Sequence, residues 1–75
     1  MAYNARVGTI DVIINGERRA VPEGQRVSEL LALLELIPQR VAIEINERLV
    51  PRGSHGDVAL AAGDRVEIVT LVGGG

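Results

Sequence analysis

Only one stretch of this chain has the spacing of a helix, and everything else must fold around it. Val27, Leu30, Leu31 and Leu34 recur at the interval that places them on one helical face, and Leu33, Leu36 and Ile37 widen the stripe. Ser28 or the residue just before it starts the segment, and Glu29 stands in the first turn, where the positive end of the helix dipole favours a carboxylate. Pro38 disfavours the helical conformation at Ile37 and so sets the expected end. A single amphipathic helix has no second helix to cover its apolar stripe. The rest of the chain must therefore supply a sheet.

The flanking residues have strand character. Residues 9–15 are rich in β-branched side chains and run into Asn15-Gly16, a dipeptide suited to the positive φ angles of a tight hairpin. Residues 17–21 continue as a short, mostly polar second strand, halted by Pro22-Glu23-Gly24. Beyond the helix, residues 41–46 read as a strand, with Asn46-Glu47-Arg48 turning into Leu49-Val50-Pro51. Residues 52–57, with Gly53, Ser54 and Gly56, form a loop, and Val58-Ala59-Leu60 adds a short apolar anchor. After the turn Ala62-Gly63-Asp64, residues 65–71 alternate as a final strand. Hairpin, helix, strand, loop, strand is the plan of an α+β protein of the β-grasp kind, a mixed four- to five-stranded sheet packed on one main helix. The expected organisation is a flexible leader at 1–8, one domain at 9–72 and a glycine arm at 73–75.

Composition excludes most catalytic chemistry. A chain of 75 residues holds one core, built here from 10 Val, 8 Leu and 7 Ile against one Tyr and no Phe or Trp. The absence of cysteine removes disulfides, thiolate metal sites and thiol nucleophiles, and fits a reducing compartment, so a cytoplasmic location is expected. A net charge of -2 with scattered basic residues gives no footprint for nucleic acid or an anionic membrane. The longest apolar run, Leu30-Leu31-Ala32-Leu33-Leu34, is far below the roughly 20 residues of a membrane span, and the first residues lack a hydrophobic signal region.

His55, the only imidazole, lies in a Gly- and Ser-rich loop and is expected to face solvent rather than bind a metal. Ser28, Ser54, Thr9 and Thr70 lack the Gly-x-Ser-x-Gly context of an activated nucleophile. Gly53, Gly56 and Gly63 match no phosphate-binding pattern and read as turn residues, and Asp57 and Asp64 lack the spacing of a calcium loop. No metal and no resident cofactor is expected.

The sequence ends in Gly73-Gly74-Gly75, which is consistent with plain terminal slack and also with an arm reaching roughly 10 Å beyond the sheet. Glycines alone thread a narrow channel. An α-carboxylate with a pKa near 3.5 is ionised at neutral pH and can attack the α-phosphate of a nucleotide, giving a mixed anhydride that accepts sulfur or an amine. All eight basic residues are Arg, so the chain offers no lysine amine to such an acyl group.

Here the sequence resembles a family. Asn15-Gly16-Glu17, Val27-x-Glu29-Leu30-Leu31, residues 41–46 with Leu49-Val50-Pro51-Arg52, and Leu60-x-x-Gly63-Asp64-Arg65-Val66-Glu67-Ile68-Val69-x-x-Val72-Gly73-Gly74-Gly75 are similar to the ThiS family of sulfur carriers in thiamin thiazole biosynthesis, in the ubiquitin-like group. The resemblance covers residues 11–75, departs at Arg26, where many relatives have a capping Thr, and leaves the leader outside. It implies a protein co-substrate rather than an enzyme. Gly75 would be adenylated and then carry a thiocarboxylate, Gly73 and Gly74 would form the arm, and Leu71 and Val72 would lie beside the docking surface. The implied partners are a ubiquitin-activating-type (ThiF-like) adenylyltransferase that uses ATP, a sulfur-donating cysteine desulfurase system, and a thiazole synthase (ThiG-like). Other readings are a molybdopterin synthase small subunit, another thiocarboxylate carrier, a ubiquitin-like modifier, or an inert β-grasp binding module.

Overall fold

The computed structural model describes residues 8–71, so the leader (residues 1–7 of it) and the arm with Val72, Gly73, Gly74 and Gly75 lie outside the described residues. Five strands, β1 (Thr9–Ile14), β2 (Glu17–Pro22), β3 (Val41–Ile45), β4 (Arg48–Val50) and β5 (Arg65–Thr70), form one sheet in the order β2-β1-β5-β3-β4. Strand β5 runs parallel to β1 and antiparallel to β3, which makes the sheet mixed. One helix, α1 (Val27–Leu33), crosses one face, and single 3-10 turns occupy Pro38–Arg40 and Arg52–Ser54. This is the β-grasp arrangement that the element order predicts.

Both hairpins close through two residues at positive φ. Asn15 and Gly16 (φ 49° and 84°) join β1 to β2 with Ile14 opposite Glu17, and Asn46 and Glu47 (53° and 70°) join β3 to β4 with Ile45 opposite Arg48. Left-handed residues at both central positions match the twist of the strands they connect. Asn46 has a second task at the start of β5. Its Oδ1 accepts the Arg65 N–H at 3.0 Å, its Nδ2 donates to Asp64 Oδ1 at 3.0 Å, and Asp64 Oδ2 accepts the Ala61 N–H at 2.8 Å. The second hairpin and the last loop are thereby tied together. Pro22 ends β2 opposite Thr9 on an edge strand, where its missing N–H costs no ladder bond.

The helix starts where the spacing places it but stops earlier than Pro38. Glu35 takes a left-handed φ of 59°, the Leu36 N–H donates to the Leu31 carbonyl at 2.9 Å, and the Glu35 N–H donates to the Ala32 carbonyl at 3.0 Å. These paired bonds form a Schellman stop. Leu33 and Ile37, expected to widen the buried stripe, are instead 61% and 52% exposed. At 100° per residue Leu33 lies about 120° round from the Val27–Leu30–Leu31 face, and Ile37 follows the stop.

At the other end Arg26 offers no side-chain acceptor. The Arg26 N–H donates to Glu29 Oε1 at 2.8 Å, which is the return half of a capping box, and loop carbonyls do the rest. Val27 N–H donates to the Val58 carbonyl and Ser28 N–H to the His55 carbonyl, each at 2.9 Å. These bonds draw the 52–58 loop onto the helix. His55 is consequently buried, 5% exposed with Nδ1 unpaired, and does not face solvent as its Gly- and Ser-rich surroundings predict.

Between sheet and helix the core is wholly aliphatic. Val27, Leu30 and Leu31 of α1 meet Val12, Ile14, Val21, Val41, Ile43, Val50 and Val66 of the sheet, with Leu60 closing one end. Leu31 is fully buried, so Leu31→Ala is expected to lower stability by about 3 kcal/mol in urea unfolding. Glu35→Gly is expected to move the urea midpoint the opposite way, by about 0.5 to 1 kcal/mol. Glycine relieves the left-handed strain and removes a negative charge from the helix C-terminus, partly offset by unfolded-chain entropy.

Candidate functional site

The structure concentrates attention on the end of β5, the strand that carries the chain toward its glycines. Five register pairs, from Ile45 opposite Val66 to Val41 opposite Thr70, hold β5 against β3, and the Leu71 N–H donates to the Arg40 carbonyl at 2.7 Å. On the β1 side, strand pairing stops at Ile14 opposite Val66 because β1 turns away at Asn15. The Asn15 side chain fills the next position. Its Oδ1 accepts the Ile68 N–H at 2.8 Å and its Nδ2 donates to the Ile68 carbonyl at 3.1 Å, across 53 residues of sequence.

Alternation along β5 sorts its side chains onto two faces. Val66 and Ile68 turn inward, whereas Glu67 and Val69 turn outward, and Leu71 follows at the strand's end. Val69 is 54% exposed and Leu71 49%. Val69 lies opposite Ala42, and Ala42 shares its face with Glu44, whose partner Leu49 is 64% exposed. The outer face of the sheet thus carries Val69 and Leu71 near the point where the described chain ends, and Leu49 two strands away beyond Glu44.

The inner side of the same strand end borders a shallow groove of about 320 Å³, lined by Ile14, Leu34, Leu36 and Ile68 together with Asn15, Glu17, Arg19 and Thr70. It holds no nucleophile and base in partnership. His55 belongs to the 52–58 loop at the N-terminal end of α1, away from this groove. Among the described residues no group of three or more His, Asp or Glu is placed to hold a metal ion, and no helix is long and apolar enough to cross a membrane.

Of the residues singled out in the sequence, Leu71 is half exposed and held through its backbone N–H to the Arg40 carbonyl. Val72, Gly73, Gly74 and Gly75 fall outside the described residues. The Asn15 bond to Ile68 was not read from the sequence, because the Asn-Gly dipeptide is fully accounted for as a turn. The only available signal was that the turn residue carries both a donor and an acceptor.

Comparison with known proteins places the chain among relatives of one family. The ThiS family model matches residues 2–75. The thiazole synthase of Paramagnetospirillum magneticum is 41% identical over 64 residues, covering 85% of this chain and 20% of that protein. An uncharacterized protein, ycf40, of the red alga Porphyra purpurea is 39% identical over 66 residues, covering 88% of this chain and 93% of that one. This chain therefore spans about a fifth of the synthase it matches and nearly the whole of the algal protein. Among solved structures, the crystal structure of the thiamine biosynthesis protein ThiS from Geobacter metallireducens superposes with a TM-score of 0.77 at 29% identity, covering 88% of this chain and 100% of that chain. With a family match running from residue 2 to the last glycine and a five-stranded sheet grasping one helix in the same way, this chain belongs to the ThiS family.

Proposed function

We propose that this chain is a sulfur carrier of thiamin biosynthesis, a protein co-substrate whose reacting group is the carboxylate of Gly75. The observation that carries the reading is the family match, which extends through Gly73, Gly74 and Gly75. The occurrence of a similar stretch within chains named thiazole synthase supports that enzyme as the acceptor, because a carrier and its acceptor gain effective concentration when joined in one polypeptide.

The chemistry follows from the group carried. A carboxylate oxygen attacks the α-phosphorus of ATP on a ubiquitin-activating-type adenylyltransferase, the bond to pyrophosphate breaks, and an acyl adenylate forms. A desulfurase takes the sulfur of cysteine as a protein persulfide, whose terminal sulfur attacks the acyl carbon and expels AMP; a second thiol then cleaves the acyl disulfide so formed, leaving the thiocarboxylate on Gly75 and a disulfide between the two thiols. The resulting thiocarboxylate donates its sulfur to thiazole synthase. In this scheme ATP belongs to the partner and the chain binds no cofactor of its own. Its contribution is positional. Gly73 and Gly74, lacking Cβ atoms, suit a narrow channel, and Val72 and the exposed Leu71 precede them in the sequence as the residues of the docking side.

Mass spectrometry of the protein from its own cells is expected to show a sulfur-for-oxygen gain at the C-terminal peptide, and a chain unmodified in every growth condition would overturn the reading. Deleting Gly75 is expected to abolish ATP-pyrophosphate exchange by the adenylyltransferase while leaving the urea midpoint unchanged. Leu71→Asp is expected to weaken adenylyltransferase binding by about tenfold or more, with stability altered by no more than about 0.5 kcal/mol. Normal binding by that folded variant would place the interface elsewhere.

A further inference from the structure

Asn15 satisfies more than a turn requires. A hairpin turn of this type needs a residue that tolerates positive φ, and glycine serves that need as well as asparagine. Yet the Asn15 side chain also reaches the middle of β5, with Oδ1 on the Ile68 N–H and Nδ2 on the Ile68 carbonyl. The two bonds fix the amide's orientation, since the reversed amide would set donor against donor and acceptor against acceptor.

The backbone pattern explains why this matters. The β5 groups that face β1 belong to alternate residues: the Asp64 carbonyl accepts the Ile13 N–H and the Val66 carbonyl accepts the Asn15 N–H, both at 2.8 Å. Ile68 comes next in that series, but β1 has already turned, and the asparagine amide stands in for the missing peptide group. Beyond Ile68 the ties of β5 run to the β3 side, through Val69 opposite Ala42 and the Leu71 N–H on the Arg40 carbonyl. Ile68 is therefore the last point at which β5 is gripped from both sides.

We propose that Asn15 is a positioning residue for the activation of Gly75, fixing the end of β5 and with it the place and direction in which the chain leaves the sheet. This rests on the sulfur-carrier reading. The carboxylate must arrive in line with a phosphorus atom held by another protein, and small errors in placement cost large factors in rate. Docking through the exposed face of Val69 and Leu71 does not involve the Asn15 amide, so loosening the clamp changes turnover more than affinity.

The test compares Asn15→Gly with Asn46→Gly. Each substitution keeps a residue suited to positive φ and deletes an amide that holds β5, the first near its end and the second at its start. With ATP and the adenylyltransferase, Asn15→Gly is expected to lower kcat for pyrophosphate exchange roughly tenfold with KM for the carrier within about twofold, while Asn46→Gly leaves kcat within about twofold. Hydrogen exchange on the isolated protein is expected to show the Ile68 amide opening at least about tenfold faster in Asn15→Gly, with the Ile43 amide following global stability alone. An unchanged kcat in Asn15→Gly, an equal loss in Asn46→Gly, or an unchanged Ile68 amide would each overturn the inference. Failure of the wild-type chain to be adenylated would instead overturn the carrier reading, and the inference with it.

Discussion

The insertion of β5 between β1 and β3 is the contact on which the molecule depends. The two hairpins are each local, built from neighbouring strands and two-residue turns, and in the sheet order they are separated by β5. Remove that strand and no ladder joins them. Its parallel pairing with β1 links Ile13 to Arg65 and Ile14 to Val66, across most of the chain's length, so the loop-closure cost of the sheet falls on the last strand to be made. The asparagine turns of both hairpins reduce that burden by gripping β5 from either side, Asn46 at its beginning and Asn15 near its end. The strand that completes the fold is also the strand that leads to the glycines.

What the sequence revealed was whatever depends on local chemistry. Asn15-Gly16 and Asn46 announce turns because asparagine and glycine are among the few residues that accept positive φ, and the Val27, Leu30, Leu31 spacing marks a buried helical face. The end of the helix was illegible for the converse reason. Glu35 adopts a left-handed conformation that glutamate does not favour, held there by the bonds of Glu35 and Leu36 to the preceding turn, and nothing in its identity signals this. His55 misled in another way. Glycine and serine neighbours usually indicate a solvated loop, but this loop is drawn inward by the two helix N–H groups it must satisfy. At the candidate site Leu71 could be chosen from the sequence because it precedes the glycines, whereas the Asn15 clamp depends on a partner 53 residues away.

Within the family reading, the molecule separates what must be stiff from what must be offered. The core contains no aromatic residue and relies on branched aliphatics that fill the space between one helix and five strands. Val69, Leu71 and Leu49 are left exposed on the opposite face of the sheet, the side that the helix does not cover. The red algal relative of similar length and the much longer synthases indicate that the same unit serves both as a small chain and as part of a larger one.

The cap on α1 carries a mutational consequence. Most helices entrust their first amides to a serine, threonine or aspartate, and a single codon change removes the acceptor. Here the acceptors for Val27 and Ser28 are main-chain carbonyls of Val58 and His55, which every amino acid possesses. Position 26 is thereby released from the usual vocabulary of capping residues, and an arginine can occupy it, sending its guanidinium to the Gly56 carbonyl at 3.1 Å. A substitution at position 26 leaves these acceptors in place, whereas an insertion or deletion in the 52–58 loop would shift the carbonyls themselves and uncap the helix.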